Sequence, residues 1–171
     1  MMAAFPTGVG IVTAISKSGH PWGMTCTSIA SVALEPPCLL VCLRRGSPTL
    51  AATLEYGGFA LNLLCTNAQA DAELFASGAP DRFQRVRWKM DQADQGPHLL
   101  DSAHSTADCR VLCQLSFGDH TVVFGEVTAI TEHSDARPLM YGLHEFAQWP
   151  DPACDRMAAT GRPQAADSIR T

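Results

Sequence analysis

The sequence has few charged residues, no excess of basic charge and no long apolar run. Only 17% of its 171 residues are charged, compared with about 25% in typical soluble domains. The 12 Lys and Arg residues against 17 Asp and Glu residues give a formal net charge of -5, which argues against basic patches for nucleic acid or anionic lipid. No stretch approaches the roughly 20 apolar residues of a membrane span. We therefore expect no nucleic-acid or membrane partner, and the low charge suggests that a partner, a ligand or a second subunit covers part of the surface. The odd number of cysteines, without a signal-peptide pattern at the N-terminus, predicts reduced thiols and a cytoplasmic location.

Several signatures of cofactor and metal sites are also absent. No G-x-G-x-x-G motif follows a predicted strand, and neither a Walker A loop nor an H-E-x-x-H motif occurs. The seven cysteines form no C-x-x-C pair. Cys38 and Cys42 are four residues apart, and on a strand this spacing separates them by about 13 Å, too far to share an ion. We expect reduced, buried thiols and no metal site.

The hydrophobic pattern predicts about seven strands and two or three short helices. Ser47 and Pro48 indicate the start of a helix over residues 48–56, and a second helix is predicted over 67–77. Residues 91–106 are predicted to be irregular, and residues 139–146 to form one strand. Hairpins without regular βαβ alternation favour an antiparallel barrel. We expect one domain over residues 1–149 and a mobile tail over 150–171. The other strands are predicted at 9–15, 20–28, 30–34, 38–43, 59–64, 108–117 and 120–132.

Three segments carry candidate binding chemistry. Residues 23–28 place small side chains and hydroxyls along a strand, where a backbone can approach a flat ring; an edge strand that uses Thr for its β propensity is the alternative. Residues 44–49 combine two arginines, a glycine and two hydroxyls at a predicted helix N-terminus, which are the parts of a phosphate cradle or of an ordinary capped helix. His120 opens a strand after the 118–119 turn, where it can reach a ligand or remain solvated.

Short motifs in a fixed order between residues 5 and 141 resemble those of the short-chain flavin reductases that serve two-component flavin-dependent monooxygenases. Any one motif is weak, whereas their shared order and spacing are specific. The motifs are Phe5-Pro6-Thr7-Gly8-Val9, Gly23-Met24-Thr25-Cys26-Thr27-Ser28, Ser31-Val32 with Pro36-Pro37, Leu40-Val41-Cys42-Leu43 with Ser47 and Thr49, Phe59-Ala60-Leu61-Asn62-Leu63-Leu64 with Gln69, Asp81-Arg82-Phe83, Gly118-Asp119-His120, Gly125-Glu126-Val127 and Pro138-Leu139-Met140-Tyr141.

The resemblance implies a mainly β fold, namely a flavin-binding split β-barrel with antiparallel, Greek-key-like strand order and a few short helices, which works as a homodimer. It implies NAD(P)H-dependent reduction of FAD or FMN, with NADH the favoured donor, and delivery of the reduced flavin to a separate monooxygenase. Two alternatives stay open: a non-catalytic flavin-binding module for storage or sensing, and an oxidase of the pyridoxamine-phosphate type, which needs a denser basic site than Arg44 and Arg45 provide.

The resemblance also implies the site residues. His120 is the catalytic candidate, associated with the nicotinamide, and no metal ligand is implied. The cofactor-binding candidates are Met24, Thr25, Cys26, Thr27 and Ser28 along the isoalloxazine ring, Cys42, Ser47 and Thr49 at the ribityl and phosphate end, and Asn62, Arg82 and Phe83 elsewhere around the flavin.

Overall fold

The computed structural model describes residues 1–149, which form mainly antiparallel β-structure. The largest sheet has seven strands in the order β3-β2-β6-β9-β10-β5-β4, so β3 and β4 are its edges and the barrel does not close. The strands within residues 1–149 are β1 (Thr7–Gly8), β2 (Gly10–Ile15), β3 (Pro21–Cys26), β4 (Ile29–Leu34), β5 (Pro37–Arg44), β6 (Gly58–Leu64), β7 (Trp88–Lys89), β8 (His98–Leu99), β9 (Ala103–Phe117), β10 (His120–Glu132), β11 (Leu139–Gly142) and β12 (Glu145–Gln148).

Two α-helices connect strands of this sheet. The first begins and ends where its capping residues predict, whereas the second begins two residues later than the predicted residue 67, after Ala68, which makes no side-chain cap. Helix α1 (Pro48–Tyr56) begins after Ser47, whose Oγ accepts a hydrogen bond from the Leu50 amide at 3.2 Å. It ends at Gly57, which adopts the left-handed conformation at φ 84°. Helix α2 (Gln69–Ser77) ends at Gly78 in the same way. Glycine adopts this conformation without a steric penalty from Cβ, which is why both helices end there.

The long hairpin of β9 and β10 organises the sheet, because β9 also pairs with β6 and β10 also pairs with β5. Register shifts interrupt the hairpin near Gly125, where a Cβ atom would come within 2.7 Å of the Phe59 ring. Glycine at this position therefore lets the fully buried Phe59 pack directly against the strand. The mainly β, antiparallel class expected from the sequence is confirmed.

The apolar core has two parts. One part packs the inner face of the sheet against α1 and includes Phe59 and Leu43. The other packs α2 and the β11 region against β2 and β6 and includes Phe75 and Leu64. Each such side chain contributes roughly 1.5–3 kcal/mol through removal from water, so the positions of α1 and α2 beside the sheet are set by burial.

Two of the predicted elements differ from the structure. Residues 91–106 are not irregular throughout, since β8 pairs with β7 and β9 already begins at Ala103; the polar composition of this segment conceals these strands. Residues 139–146 form two strands rather than one, with a turn at Leu143 and His144. Both turn residues have positive φ values, 54° and 65°, which their side chains rarely adopt, so the sequence carries no turn signal there.

The expected tail over residues 150–171 lies outside the described residues. Within residues 1–149, no helix combines the length and the apolar character needed to cross a membrane.

Candidate functional site

A groove of about 520 Å³ lies where five elements end. It is bounded by β3, the end of β5, the N-terminus of α1, the C-terminus of α2 and the start of β10, and we call it the β3–α1 groove. These elements are far apart in sequence and meet only through the order of strands in the sheet. Six of the predicted site residues line the groove: Met24, Thr25, Ser47, Thr49, Arg82 and His120.

Three other predicted residues line a separate pocket of about 470 Å³. Thr27, Ser28 and Cys42 meet there with side chains of the N-terminal segment, and we call it the Ser28 pocket. A smaller cavity of about 280 Å³ is lined by both Thr25 and Thr27. The segment from Thr25 to Ser28 therefore borders three cavities in succession.

Strand β3 supplies the groove with an unpaired backbone edge. Among the described residues, β3 is an outer strand of the sheet and pairs with β2 alone, so about half of its backbone amides and carbonyls are not bonded within the sheet. At Gly23 a Cβ atom would lie 2.8 Å from the Phe75 ring. The glycine therefore allows Phe75 of α2 to pack against the strand and form the floor of the groove. The edge-strand and ring-binding interpretations of this segment are thus compatible.

The phosphate-cradle segment is a capped helix whose N-terminus faces the same groove. Ser47 caps α1, and Thr49 is 1% exposed. Arg44 also lines the groove, whereas Arg45 donates through Nη1 to the Gly118 carbonyl at 3.1 Å. Within residues 1–149 Arg44 has no ion-pair partner, and a helix N-terminus beside such an arginine attracts anions. This end of the groove therefore suits a phosphate.

His120 lies beside the phosphate end of the groove. Its backbone is opposite Arg44 in the pairing of β10 with β5, and its Nδ1 lies 2.9 Å from Oδ1 of Asp119. This hydrogen bond lowers the pKa of Asp119, so an ionised carboxylate accepts the bond from Nδ1. The contact orients the imidazole and leaves Nε2 free of Asp119.

Arg82 is a buried cation that also lines the groove. Only 6% of the residue is exposed, and burial lowers the pKa of its guanidinium. Nη1 donates to the carbonyls of Gly78 and Ala79, while Nε is buried without a hydrogen-bond partner. Within residues 1–149 no carboxylate lies within 4.0 Å of it. An anionic ligand would therefore supply both a counter-charge and an acceptor. Phe83 lies next to it and lines a neighbouring pocket.

Asn62, another predicted site residue, does not line the groove. It is fully buried, and its Nδ2 donates to the Pro97 carbonyl and to Thr13 Oγ1. Its Oδ1 accepts from the Leu99 amide and from Thr106 Oγ1. It lines none of the cavities described here, so the structure gives it the role of fastening β2, β6, β8 and β9 together.

Cys26 also lies outside these cavities. It is 5% exposed, and burial raises the pKa of its thiol to about 11. Its sulfur is directed at the carbonyls of Ser28 and Cys42. A thiol with this pKa stays protonated near neutral pH, so within the chain it acts as a packing group.

Comparison with known proteins identifies the family. A family model described as the flavin reductase like domain matches residues 2–150. The chain belongs to this family. It is 46% identical over 149 residues to a flavin reductase (NADPH) of Lentzea aerocolonigenes, covering 87% of this chain and 86% of that protein. It is 41% identical over 160 residues to a flavin reductase (NADH) of Kitasatospora aureofaciens, covering 93% and 84%.

The names of two further relatives mention a monooxygenase or the cofactors NAD and FAD. The reductase subunit of a flavin-dependent monooxygenase of Rhodococcus jostii is 34% identical over 141 residues, covering 82% of this chain and 71% of that one. The NADH:FAD oxidoreductase of Streptomyces globisporus, solved with NAD and FAD fragments, superposes with a TM-score of 0.81 at 28% identity, covering 89% and 90%. The expected membership of the flavin reductases, with NAD(P)H and a flavin as reactants, is confirmed.

One polar cluster of this flavin reductase was not anticipated from its sequence. His98 is only 2% exposed, and its Nε2 lies 2.9 Å from Oδ2 of Asp108, which is also buried. Asp94 lies 3.9 Å from the same nitrogen. Asp108 lies between the apolar residues Ala107 and Cys109 of β9, which is the one signal that could have indicated a buried partner. None of the three residues lines the groove, and the cluster fastens β8 and the segment before it to β9.

Proposed function

We propose that this chain transfers a hydride from NAD(P)H to FAD or FMN and releases the reduced flavin to a separate monooxygenase component. The observation that carries the proposal is the β3–α1 groove. It combines an unpaired strand edge for a flat ring, a helix N-terminus with Arg44 for a phosphate, and His120 at its rim. No one of these features is decisive, but together they offer places for the flavin ring, for its phosphate and for the nicotinamide.

The flavin and the nicotinamide supply the hydride chemistry when they are bound. The chain binds and aligns them, and alignment is the main source of rate in such a transfer. Backbone groups of Met24 and Thr25 hold the polar edge of the ring, and the start of α1 holds the phosphate. His120, oriented by Asp119, positions the nicotinamide. The proposal also includes Thr27, Ser28 and Cys42, which contact the ring where it extends over the end of β3 into the Ser28 pocket.

We extend the proposal to a homodimer. Large apolar side chains remain exposed on β4, β9 and β10, among them Leu34 (88%), Phe117 (66%) and Ile130 (68%). Exposed apolar residues at this density favour burial against a second copy. Sedimentation equilibrium tests this: a dimer that Leu34→Glu dissociates supports the interface, and a monomer at all concentrations contradicts it.

A cytoplasmic location is part of the proposal, since the described cysteines are free thiols, which persist in a reducing compartment.

The proposal is tested by following NADH and NADPH absorbance anaerobically, with FAD, FMN and riboflavin each in excess. We expect rapid oxidation of one nucleotide, NADH in preference, that depends on added flavin. Exchange of the flavin is expected, because a carrier must leave to be used. Flavin binding without turnover, seen by fluorescence quenching, would instead support the storage or sensing module.

A further inference from the structure

The polar cluster of Asp94, His98 and Asp108 brings three metal-ligating atoms together. Each of the three side chains offers one such atom, and these atoms all lie within 4.8 Å of one another. His98 Nε2 is 2.9 Å from Asp108 Oδ2 and 3.9 Å from Asp94 Oδ1. Two ligand atoms of a tetrahedral Zn²⁺ ion lie roughly 3.4 Å apart, because each metal–ligand bond is about 2.0–2.2 Å long. The two measured separations lie on either side of that value.

Backbone amides fix the orientation of both carboxylates. Asp108 Oδ1 accepts a hydrogen bond from the Gln95 amide at 2.7 Å, and Asp94 Oδ2 accepts one from the Asp91 amide at 2.6 Å. In each carboxylate the other oxygen is therefore the one that faces His98 Nε2. Hydrogen bonds that orient the ligands in this way are typical of metal sites in proteins. The fold thus holds both oxygens in place before any ion binds.

The imidazole of His98 is directed into the cluster by the same surroundings. Its Nδ1 is buried and has no hydrogen-bond partner among residues 1–149. The hydrogen bond between Nε2 and Asp108 is therefore the one that orients this ring within the described chain. A side chain that is 2% exposed and has its one bonded nitrogen facing two carboxylates is well placed to become a metal ligand.

The cluster contains more negative charge than its own groups can balance. The side chains of His98 and Asp108 are 2% and 3% exposed, and that of Asp94 is 14% exposed. Two carboxylates face one imidazole, which carries at most one positive charge. Within residues 1–149 no lysine or arginine lies within 4.0 Å of either carboxylate. Buried charges in proteins are paired or coordinate metals, and a divalent cation would balance both carboxylates.

The donor set indicates which class of ion the cluster suits. Mg²⁺ and Ca²⁺ prefer sites made of oxygen alone, whereas a site that includes an imidazole suits Zn²⁺ and similar transition-metal ions. Asp94 is the most exposed of the three ligands, so this side gives an ion access from solvent and leaves room for a water ligand. The sequence-based expectation of no metal site rested on the cysteines, and none of them is needed here.

We propose that Asp94, His98 and Asp108 bind one divalent transition-metal ion such as Zn²⁺, with water as the fourth ligand. The ion takes the place of the proton between His98 Nε2 and Asp108 Oδ2, and that proton is released to solvent. Bound there, the ion joins β8 and the segment before it to β9. Its role is to stabilise the fold, and it takes no part in the reaction proposed for the β3–α1 groove.

The test starts from the chain freed of metal by dialysis against EDTA and then against buffer. Calorimetric titration with ZnCl2 gives the Kd and the stoichiometry, and thermal unfolding with and without ZnCl2 gives the shift in Tm. Asp94→Asn is the main variant, because asparagine keeps an acceptor for the Asp91 amide but removes the charged ligand. Asp101→Asn is the matched control, since Asp101 is an exposed carboxylate outside the cluster. His98→Gln removes the nitrogen ligand.

We expect one Zn²⁺ ion per chain and a Tm that rises when the site is saturated, with MgCl2 giving neither effect. Asp94→Asn and His98→Gln should each raise the Kd of Zn²⁺ at least about tenfold, since even the loss of a group that only orients a ligand costs about 10- to 100-fold in affinity. Both should also remove most of the Tm shift. Asp101→Asn should leave the Kd and the Tm shift unchanged.

A metal-free chain that binds no stoichiometric Zn²⁺ would overturn the site. Binding that both ligand variants retain would also overturn it, because the ion would then be adventitious and held elsewhere. If His98→Gln does not fold, Asp94→Asn decides the matter, since its side chain is the least buried of the three. These measurements use neither flavin nor NAD(P)H, so their outcome is independent of the proposed reductase function.

Discussion

At the scale of single residues, His120 is the side chain whose role in the proposed reaction can be tested most directly. It lies at the rim of the groove, and Asp119 fixes its imidazole through Nδ1. We expect His120→Ala to raise the KM for NADH by roughly twofold to tenfold, the effect of losing one hydrogen bond of about 0.5–1.5 kcal/mol. Flavin affinity, measured by fluorescence quenching, should change less than the KM.

Asp119→Asn provides the control for His120. Asparagine keeps an acceptor for Nδ1 but removes the charge, so a smaller rise in KM is expected than for His120→Ala. If His120→Ala leaves both KM and kcat unchanged, His120 is a solvated turn residue and has no place in the site. Thr25 and Asn62 both belong to motifs that resemble those of the family, but only Thr25 lines the groove, whereas Asn62 is buried in the core. Membership of a motif therefore does not reveal whether a side chain faces the site or is buried.

At the scale of elements, α1 combines a structural cap with a binding surface. Ser47 Oγ accepts the Leu50 amide and also lines the groove. We expect Ser47→Ala to lower the free energy of unfolding by about 1 kcal/mol, because one amide at the helix start loses its acceptor. Urea denaturation measures this. Ser47→Asp, which restores an acceptor, should recover most of the stability while weakening phosphate binding through its negative charge.

The packing of α2 against β3 makes a second prediction at this scale. A Cβ atom at Gly23 would lie 2.8 Å from one carbon of the Phe75 ring and 3.2 Å from the Phe83 ring. We expect Gly23→Ala to displace α2 from the strand, at a cost of about 1–3 kcal/mol for overpacking, and to weaken flavin binding. Gly8→Ala is the control, since no atom lies within 4 Å of its Cβ position. Full retention of stability and flavin affinity would contradict this account of the groove floor.

Elements with local signals were predictable from the sequence, and those without such signals were not. The bounds of α1 follow from Ser47, Pro48 and Gly57, and the β9–β10 hairpin from the turn at residues 118–119. The turn at Leu143 and His144 has no glycine at its positive-φ positions, so no local rule could place it. Strand β8 is only two residues long, and its Leu99 amide donates to the side chain of Asn62, which is distant in sequence. Local sequence patterns therefore do not predict this strand.

At the scale of the whole molecule, the resemblance predicted the candidate residues of the groove, but the sequence did not predict which elements form it. Its lining comes from β3, β5, α1, α2 and β10, and these elements meet because β3 and β5 lie on either side of a sheet that curves around α1. Resemblance supplied the candidate residues. The structure then separated those that line the groove from those that border the Ser28 pocket and those that are buried. That separation depends on long-range strand order, which spacing along the chain does not encode.

The buried pair of His98 and Asp108 makes stability of the whole domain depend on pH. Burial by itself lowers the pKa of His98, but the hydrogen bond and charge of Asp108, aided by Asp94, outweigh it and raise the pKa above the ordinary 6.5. Lys89 acts weakly in the opposite direction. Because the folded pKa is the higher one, the stabilisation is complete below about pH 6.5 and is lost as the pH rises through the folded pKa.

We therefore expect His98→Gln to lower the free energy of unfolding more at pH 6 than at pH 9, with a cost on the order of 1–3 kcal/mol at the lower pH for leaving Asp108 without its charged partner. Urea denaturation across this range measures it. His133, whose ring centre lies 6.1 Å from that of His98, has a pKa lowered by burial and by His98, so His133→Gln should show the opposite trend and relieve a loss of stability at low pH. A cost for His98→Gln that is constant with pH would mean that His98 is neutral in the fold, and that the segment before β8 is held to β9 by hydrogen bonding alone.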